Sequence, residues 1–178
     1  MTFNLQPTLE NDVVKIQPLL QNDFEQLYGI ASDPLIWEQH PNKNRYQREV
    51  FEVFFKGAIE SGSAFLVFDK KTNAPIGSSR FYEFNQESNS VAIGYTFLAR
   101  DHWGTTYNRA LKTVMINYAF QIVNHIIFHV GANNLRSQKA IDKLGANKIG
   151  EEEIAYYGEP KKLNFIYQLD KTIWTARD

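Results

Sequence analysis

The stretch DHWGTTYN, residues 101–108, places a glycine and two threonines where a strand pattern ends and a helical pattern begins. Backbone N–H groups at the start of a helix lack intrahelical acceptors and carry the positive end of the helix dipole, so they suit anions such as phosphates. Gly104 lets the backbone approach a ligand, and Thr105 and Thr106 can add hydroxyl donors. The alternative is an ordinary turn in which a threonine caps the helix and Trp103 packs on the core.

A second polar junction lies in NNLRSQKAIDKLGA, residues 133–146. At about 100° per residue, Ser137 falls among the apolar residues on the helix face that should be buried. A hydroxyl there needs either a backbone partner, such as the carbonyl four residues back, or a ligand. Asn133 and Asn134 mark the entrance of this helix and Gly145 marks its end.

Each junction follows a strand, and together the elements form a βαβ unit. The alternating SVAIGYTFLA precedes the first loop, and HIIFHVGA precedes the second helix. Between them, a helix from about Tyr107 carries apolar residues at spacings of three and four. Such crossovers pair their strands in parallel, and ligands sit beyond the carboxyl ends of parallel strands. We therefore expect the two junctions to form one crevice with exposed amides.

The rest of the chain shows no repeat or low-complexity linker, which predicts one domain over residues 1–178. VVKIQPL is typical of an opening strand, and two amphipathic helices follow within NDFEQLYGIAS and YQREVFEVFFKGAIE. SAFLVFD, APIGSSRFYEF and SVAIGYTFLA, separated by short turns, favour an antiparallel meander. NKIGEEEIAYY and LNFIYQLD are typical of two final strands. The predicted class is α+β (mixed α/β), a mostly antiparallel sheet of about seven strands flanked by about four helices.

The composition argues against several classes of protein. The 19 Lys and Arg residues are balanced by 20 Asp and Glu residues, so there is no basic excess for a nucleic-acid backbone. There is no cysteine for a disulfide or thiolate metal site, and the four histidines show no metal-ligand spacing. The N-terminal residues lack signal-peptide features, and no apolar run approaches ~18 residues. A soluble, cytoplasmic protein without metal, membrane or nucleic-acid partner is expected.

The order of elements and two motifs resemble the GNAT superfamily of acetyl-CoA-dependent N-acetyltransferases, in particular its RimJ/RimL-like branch. The resemblance spans most of the chain and is most specific in the run Asn-x-x-Ser…Lys-Leu-Gly, which covers Asn134, Ser137 and residues 143–145. The Trp103-Gly104 pair supports it. It implies a GNAT-like fold and transfer of an acetyl group from acetyl-CoA to a primary amine, by direct attack in a ternary complex. The amine can be a protein N-terminus or a small molecule, and because relatives often dimerise, a homodimer is one expectation.

The resemblance also implies which residues contact the cofactor. Pantetheine would run beside the end of GYTFLA like an added strand, with a backbone N–H polarising the carbonyl, and the pyrophosphate would lie over the loop. Ser137 would lie near the sulfur as a candidate general acid; the alternative is a serine bonded to the helix backbone. The implied cofactor-binding residues are Phe97, Leu98, Ala99, Trp103, Gly104, Thr105, Thr106, Tyr107, Asn108, Asn134 and Ser137.

The sequence departs from the family pattern at several positions. The family loop is usually Gln/Arg-x-x-Gly-x-Gly/Ala, whereas this chain has Asp101 and Thr106 at the first and last of these positions. A positive φ at Thr106 would be costly for a β-branched side chain. The second run ends in Gly-Ala146 where Gly-Phe is usual, and Ile141 stands where many relatives carry a tyrosine general acid. The tyrosine role therefore does not transfer to this chain.

Acetyl transfer also needs the attacking amine neutral, and a general base must lie within hydrogen-bond reach of it or of a bridging water. Glu83 on the strand SRFYEF is the favoured candidate, and Glu153 and Tyr156 on the penultimate strand are others. The alternative for each is a solvated or hydrogen-bonded residue with no part in the reaction. Water alone could also carry the proton. His129 is interpreted as a satisfied core histidine.

Two further regions have open interpretations. Residues 36–47 fall where family members have a substrate-side loop, so Trp37 and Tyr46 could shape an acceptor pocket or simply pack. Arg136 belongs to a basic stripe, with Lys139 and Lys143, on the predicted exposed side of its helix. That stripe could contact the nucleotide phosphate or be solvated.

Two functions compete. Asn134, Ser137 and the loop HWGTTYN favour an active N-acetyltransferase. Asp101, Thr106 and Ile141 favour a catalytically weak GNAT-like module that binds acyl-CoA or a protein partner. A dinucleotide-binding enzyme is disfavoured because no G-x-G-x-x-G follows a strand. We expect the enzyme.

Overall fold

The computed structural model describes residues 3–176, so the predicted domain 1–178 extends slightly beyond the described part at both ends. Within that part, eight strands form one sheet in the order β1-β2-β3-β4-β5-β6-β8-β7, accompanied by five α-helices. In chain order the elements are β1 (Leu9–Glu10), β2 (Val14–Pro18), α1 (Phe24–Ala31), α2 (Arg48–Glu60), β3 (Ala64–Asp69), β4 (Pro75–Asn85), β5 (Ser90–Leu98), α3 (Tyr107–Ala119), β6 (His125–Gly131), α4 (Leu135–Asp142), β7 (Asn147–Ile154), β8 (Lys162–Asp170) and α5 (Lys171–Thr175).

The sheet contains one parallel pair, β5 with β6, and its other neighbours are antiparallel. The parallel pairing joins residues 90–92 to residues 125–127 and then stops, although β5 continues to Leu98 and β6 to Gly131. The two strands are therefore unpaired with each other beyond these residues. The sheet is split there by a wedge that opens towards the carboxyl ends of both strands.

Bulges distort β4 and β5 beside this wedge. Tyr95 has a φ of 53° and Glu83 a φ of 50°, values that are uncommon for residues other than glycine. The register between the two strands shifts near each of these residues. A bulge bends its strand and re-aims the neighbouring side chains. Simple alternation along β4 and β5 therefore does not predict which face their later residues occupy.

Two apolar clusters cover the two faces of the sheet. In β3, Phe65 and Val67 belong to one cluster while Ala64 and Leu66 belong to the other, as the period of two requires. The first cluster includes the buried side chains of α3 and α4, and the second those of α1 and α2. Full burial of a large apolar side chain contributes roughly 1.5–3 kcal/mol. The first cluster holds α3 and α4 against the face from which they can reach the wedge.

The predicted fold class is confirmed, with small differences in the counts. The extra strand is β1, which has only two residues, and the extra helix is α5, which has five. Elements this short carry no hydrophobic periodicity, so the sequence pattern does not reveal them. Over residues 3–176, every helix is either too short or too polar to cross a lipid bilayer.

Candidate active site

The wedge leads into a cavity of about 140 Å³ between the two parallel strands, α3, α4 and the loop before α2. Three residues predicted to contact the cofactor, Asn108, Asn134 and Ser137, line this cavity together. The predicted crevice between the two junctions is therefore present. Other lining residues are Trp37, His40, Arg45, Tyr82, Tyr95, Thr96, Lys112, Phe128, His129, Ile141 and Tyr156.

The first junction adopts an unstrained turn. Gly104 has a φ of 71°, a conformation that favours glycine, and a Cβ there would meet only open space. Thr106, the residue before α3, has a φ of −77° and a ψ of −13°. The strain expected if Thr106 had a positive φ is therefore absent. Trp103 is half-buried and packs against both apolar clusters, which anchors the loop.

The amino end of α3 is open. Thr106 forms no side-chain cap bond, and the Tyr107 N–H reaches only Thr105 Oγ1, at 3.4 Å. Among residues 3–176, no acceptor bonds the N–H of Asn108 or Arg109. Residues 104–106 are exposed, so these amides face a surface that a ligand can reach. This end of α3 has the properties of an anion site.

Two of the three first-turn amides of α4 are bonded and only that of Leu135 lacks an acceptor in the described chain, which corrects the expectation that both junctions expose their amides alike. Asn134 Oδ1 accepts the Ser137 N–H at 3.1 Å. Gln39 Oε1, from the loop before α2, accepts the Arg136 N–H at 3.0 Å. Asn134 is only 8% exposed, as expected of a residue that closes the helix from inside. The second junction therefore presents side chains to the cavity, and not free amides.

Ser137 is half-buried and lines the cavity. Its hydroxyl makes no hydrogen bond to any residue between 3 and 176, so the alternative bond to the Asn133 carbonyl is not formed. A hydroxyl on a largely apolar helix face normally has a partner. The Ser137 hydroxyl is thus available to a ligand in the cavity.

The end of β5 offers mainly backbone to a ligand. The side chains of Phe97 and Leu98 are 6% and 4% exposed and lie in the two apolar clusters. The Leu98 carbonyl accepts the Trp103 indole N–H at 3.0 Å, and the Ala99 N–H donates to the Ile76 carbonyl at 2.8 Å. Contacts of Phe97, Leu98 and Ala99 with pantetheine stay predictions, and these two backbone groups are already engaged.

The predicted general base is not brought to the cavity. Glu83 is exposed at its bulge and lines a separate surface depression with Ser88 and Ile127. Glu153 is also exposed, on β7. Tyr156 lines the cavity, but its hydroxyl donates to Asn164 Oδ1 at 2.9 Å and burial raises its pKa, so it stays protonated.

His129 lines the cavity from β6 and is only half-buried, which differs from the predicted core position. Its Nδ1 lies 2.8 Å from the hydroxyl of Tyr82, whose pKa burial raises well above its usual value. Burial lowers the pKa of His129, against the opposing charges of Glu83 and Glu152. The sequence could have indicated this position. Side chains alternate between the two faces of a strand, so His129 points to the opposite face from its buried neighbours Phe128 and Val130.

Sequence reasoning also missed Lys112 of α3. It is 5% exposed, and its Nζ donates to Thr96 Oγ1 at 2.6 Å. Thr96 Oγ1 lies 2.8 Å from the buried Ser79 Oγ, so a short polar chain runs across β5 to β4. The sequence could have indicated that Lys112 is buried, because it lies on the same side of the helix as the apolar residues Leu111 and Met115.

A buried ion pair closes the other side of the cavity. Arg45 Nη2 lies 2.6 Å from Glu159 Oε1, and the two side chains are 2% and 9% exposed. Trp37, whose indole N–H donates to the Ala31 carbonyl, both packs in the core and lines the cavity. Tyr46 packs against the second cluster. The loop before α2 and the loop between β7 and β8 thus meet over the cavity.

The prediction that Arg136 lies on an exposed basic face of α4 is wrong, because its side chain is half-buried. Its guanidinium stacks 3.9 Å from the centre of the Trp103 ring and donates to the Ile36 carbonyl at 3.1 Å. Arg136 therefore joins the first junction, α4 and the loop before α2. Lys139 and Lys143 are exposed.

The chain thus has a split sheet with one parallel pair, an open helix end and a cavity at the split. The family profile described as acetyltransferase (GNAT) domain matches residues 14–147, most of the chain. The chain therefore belongs to the GNAT acetyltransferase family.

Solved structures share the fold at low identity. A GCN5-related N-acetyltransferase from Brucella melitensis superposes with a TM-score of 0.82 at 16% identity, covering 96% of this chain and 81% of that one. Spermidine N-acetyltransferase from Vibrio cholerae, in complex with CoA and spermine, has a TM-score of 0.68 at 17% identity, covering 93% and 99%. RimJ from Mycobacterium smegmatis, in complex with CoA-disulfide, has a TM-score of 0.70 at 14% identity, covering 93% and 87%. A comparison with curated proteins finds no match.

Proposed function

We propose that this protein is a cytoplasmic N-acetyltransferase of the RimJ/RimL-like branch, a single domain that moves an acetyl group from acetyl-CoA to a primary amine. The observation that carries the proposal is the wedge between β5 and β6, with the open amides of α3 at its mouth and the cavity at its base. The nucleotide-containing ligands of two structural neighbours, CoA and CoA-disulfide, agree with it.

The residues present fit a CoA thioester. The amides of Asn108 and Arg109 suit a pyrophosphate, because they lack acceptors in the described chain and lie at the positive end of α3. The β5 edge that faces the wedge is not paired with β6 beyond residue 92, so an extended arm can lie along it. The cavity holds polar groups with unused hydrogen-bonding capacity, Ser137 and Lys112.

Acetyl-CoA, when bound, supplies the acetyl thioester that the amine attacks. Ser137 offers its hydroxyl towards the sulfur from α4, held in place by the cap that Asn134 makes. His129 is a better base than Glu83, since it lines the cavity and burial keeps it neutral near neutral pH. In the tautomer whose Nδ1–H donates to the Tyr82 oxygen, Nε2 of His129 is free to take the proton of the amine. Glu83 acts on His129 only through its charge.

The cavity favours a monoamine acceptor over a polyamine. Its charged lining groups among residues 3–176 are Arg45 and Lys112, and no carboxylate lines it. Glu159 is already paired with Arg45. A second ammonium on the acceptor would therefore be buried without a counter-ion, which is costly. A protein N-terminus or a small molecule with one amine fits better.

Calorimetry with acetyl-CoA and release of CoA from a panel of amines test the proposal. Binding is expected, and Ser137→Ala should lower turnover by roughly tenfold or more while leaving acetyl-CoA affinity nearly unchanged. Ser32→Ala, an exposed serine at the end of α1, is the control. No heat and no thermal shift at millimolar ligand would end the proposal. Binding without CoA release from any amine would instead support a binding module.

His129→Asn and Glu83→Gln, measured in the same assay, identify the base. We expect His129→Asn to lower kcat/KM by roughly 100-fold and Glu83→Gln to have a small effect. The reverse order would restore Glu83 as the base.

A further inference from the structure

Lys112 is a buried ammonium with one hydrogen bond. Only 5% of the residue is exposed, and its Nζ donates to Thr96 Oγ1 alone among residues 3–176. Its other close neighbour is the face of Phe128, with Nζ 5.9 Å from the ring centre. An ammonium has three donors, so two N–H groups lack acceptors. The cavity lies directly beside them, because Lys112 lines it.

No carboxylate faces Lys112 within the described chain. The other titratable and charged groups of the cavity lie on the loops and strands around it, and none of them is negatively charged near neutral pH. They are His40 and Arg45 from the loop before α2, Tyr82 of β4, Tyr95 of β5, His129 of β6 and Tyr156 after β7. Burial alone lowers the pKa of Lys112 from its usual 10.5 to about 7. A buried charge without a counter-ion destabilises the fold, and such groups concentrate at functional sites.

Lys112 also has a suitable position along the path of an extended ligand. It lies little more than one helical turn from the open amino end of α3, and Nζ contacts β5 at Thr96, next to the bulge at Tyr95. An arm that begins at the α3 amides and enters the wedge must pass between α3 and β5. Lys112 lines the base of this path together with Ser137 and Ile141.

We infer that Lys112 is the proton donor to the sulfur of the leaving CoA thiol and stabilises negative charge on it. Ile141, which lines the cavity beside Ser137, has no proton to give. The Ser137 hydroxyl is too weak an acid to protonate a thiolate unaided, so it orients the sulfur. Lys112 has this role only if the proposed function holds.

The step balances without any further reactant. The amine nitrogen forms a bond to the carbonyl carbon, and the carbon–sulfur bond breaks with its electron pair on sulfur. The Lys112 ammonium gives one proton to that sulfur, and the nitrogen releases one proton to His129. The neutral Lys112 amine then regains a proton from solvent, to which His129 returns its own. The products are an amide and a thiol.

The ionisation of the CoA thiol, followed by the ultraviolet absorbance of the thiolate during a pH titration of the complex, tests this role without any acceptor amine. CoA bound to the unmodified protein should ionise with a constant at least about tenfold larger than CoA bound to Lys112→Met. Lys112→Arg, which keeps the charge, should restore most of the shift. Equal ionisation of CoA on the unmodified protein and on Lys112→Met would overturn the inference and leave the proposed function standing. Failure of CoA to bind to the unmodified protein would overturn both.

The stability of the same variants tests the burial itself. The native pKa of Lys112 lies near 7 and the unfolded value near 10.5, so between these values the unfolded chain binds more protons. The unmodified protein should therefore gain stability relative to Lys112→Met as pH rises from about 6 to about 9. Thermal unfolding of both proteins measures this difference and shows that the variant folds. A difference independent of pH would mean that Lys112 is solvated, and the inference would fail.

Discussion

The two strand-to-helix junctions are similar in sequence and opposite in hydrogen bonding. Each follows one strand of the parallel pair, and each places small polar residues before a helix. At α3 the first-turn amides of Asn108 and its neighbour lack acceptors in the described chain, and Thr106 makes no cap. At α4 the amides of Arg136 and Ser137 are bonded to Gln39 and Asn134, and only the Leu135 amide lacks an acceptor in the described chain. One junction is thus suited to an anion, and the other to holding side chains in place.

The difference shows how one fold divides two tasks between equivalent positions. A helix with free amides attracts phosphate, and two such ends beside one cavity would compete for it. Closing α4 leaves a single anion site and fixes Ser137 towards the cavity. Gln39 comes from the loop before α2, so the helix that carries Ser137 and this loop are coupled.

The largest effect should come from filling the open helix end. In Thr106→Asp the new carboxylate would lie beside the α3 amides and repel phosphates, so acetyl-CoA affinity should fall by roughly 30-fold or more. The free energy of unfolding should rise by about 0.3–1 kcal/mol, because a negative charge is favourable at the amino end of a helix. Calorimetry and urea unfolding measure the two quantities.

Leu135→Asp puts the same charge at the first residue of α4 and is the matched control. Its effect on affinity should stay below about threefold, since the amides of Arg136 and Ser137 are already bonded. Equal losses of affinity in both variants would contradict the division between the junctions.

A smaller effect is expected on removing the residue before each helix. Asn134→Ala deletes a cap and should cost about 1 kcal/mol of unfolding free energy. Thr106→Ala deletes a side chain that makes no cap bond, so its cost should stay below about 0.5 kcal/mol. Urea unfolding of both variants checks the asymmetry. A larger loss for Thr106→Ala than for Asn134→Ala would reverse the comparison.

The smallest effect should follow from Gln39→Ala, which removes one acceptor from α4. A single partly exposed hydrogen bond contributes about 0.5–1 kcal/mol, and the Arg136 amide should lose protection from hydrogen exchange. Gln86→Ala, an exposed residue in the β4–β5 turn, is the control. Unchanged protection of the Arg136 amide would show that Gln39 does not close this helix end in solution.

Particular residues show why the candidate site was only partly predictable. Ser137 lines the cavity on the inner helix face that periodicity indicates for it, because helical periodicity is local and its neighbours are apolar; its role stays a prediction. Glu83 was expected beside the reacting groups by strand alternation, but the bulge at its own φ of 50° leaves it exposed, away from the cavity. Lys112 was overlooked because a single lysine hardly alters the pattern of an amphipathic helix, although the fold buries it.

The sequence by itself determined the order and kind of the main elements, the parallel crossover and the family, because hydrophobic periodicity, turn residues and short motifs act over a few neighbouring positions. The tertiary structure alone decided where β5 and β6 stop pairing and which helix end keeps more of its amides free. It also decided that Lys112 is buried away from solvent. These features depend on contacts between residues far apart in the chain, such as Gln39 with Arg136 and Lys112 with Thr96. A hydrogen bond or a buried charge takes its energy from the partners and the solvent that the completed fold leaves around it.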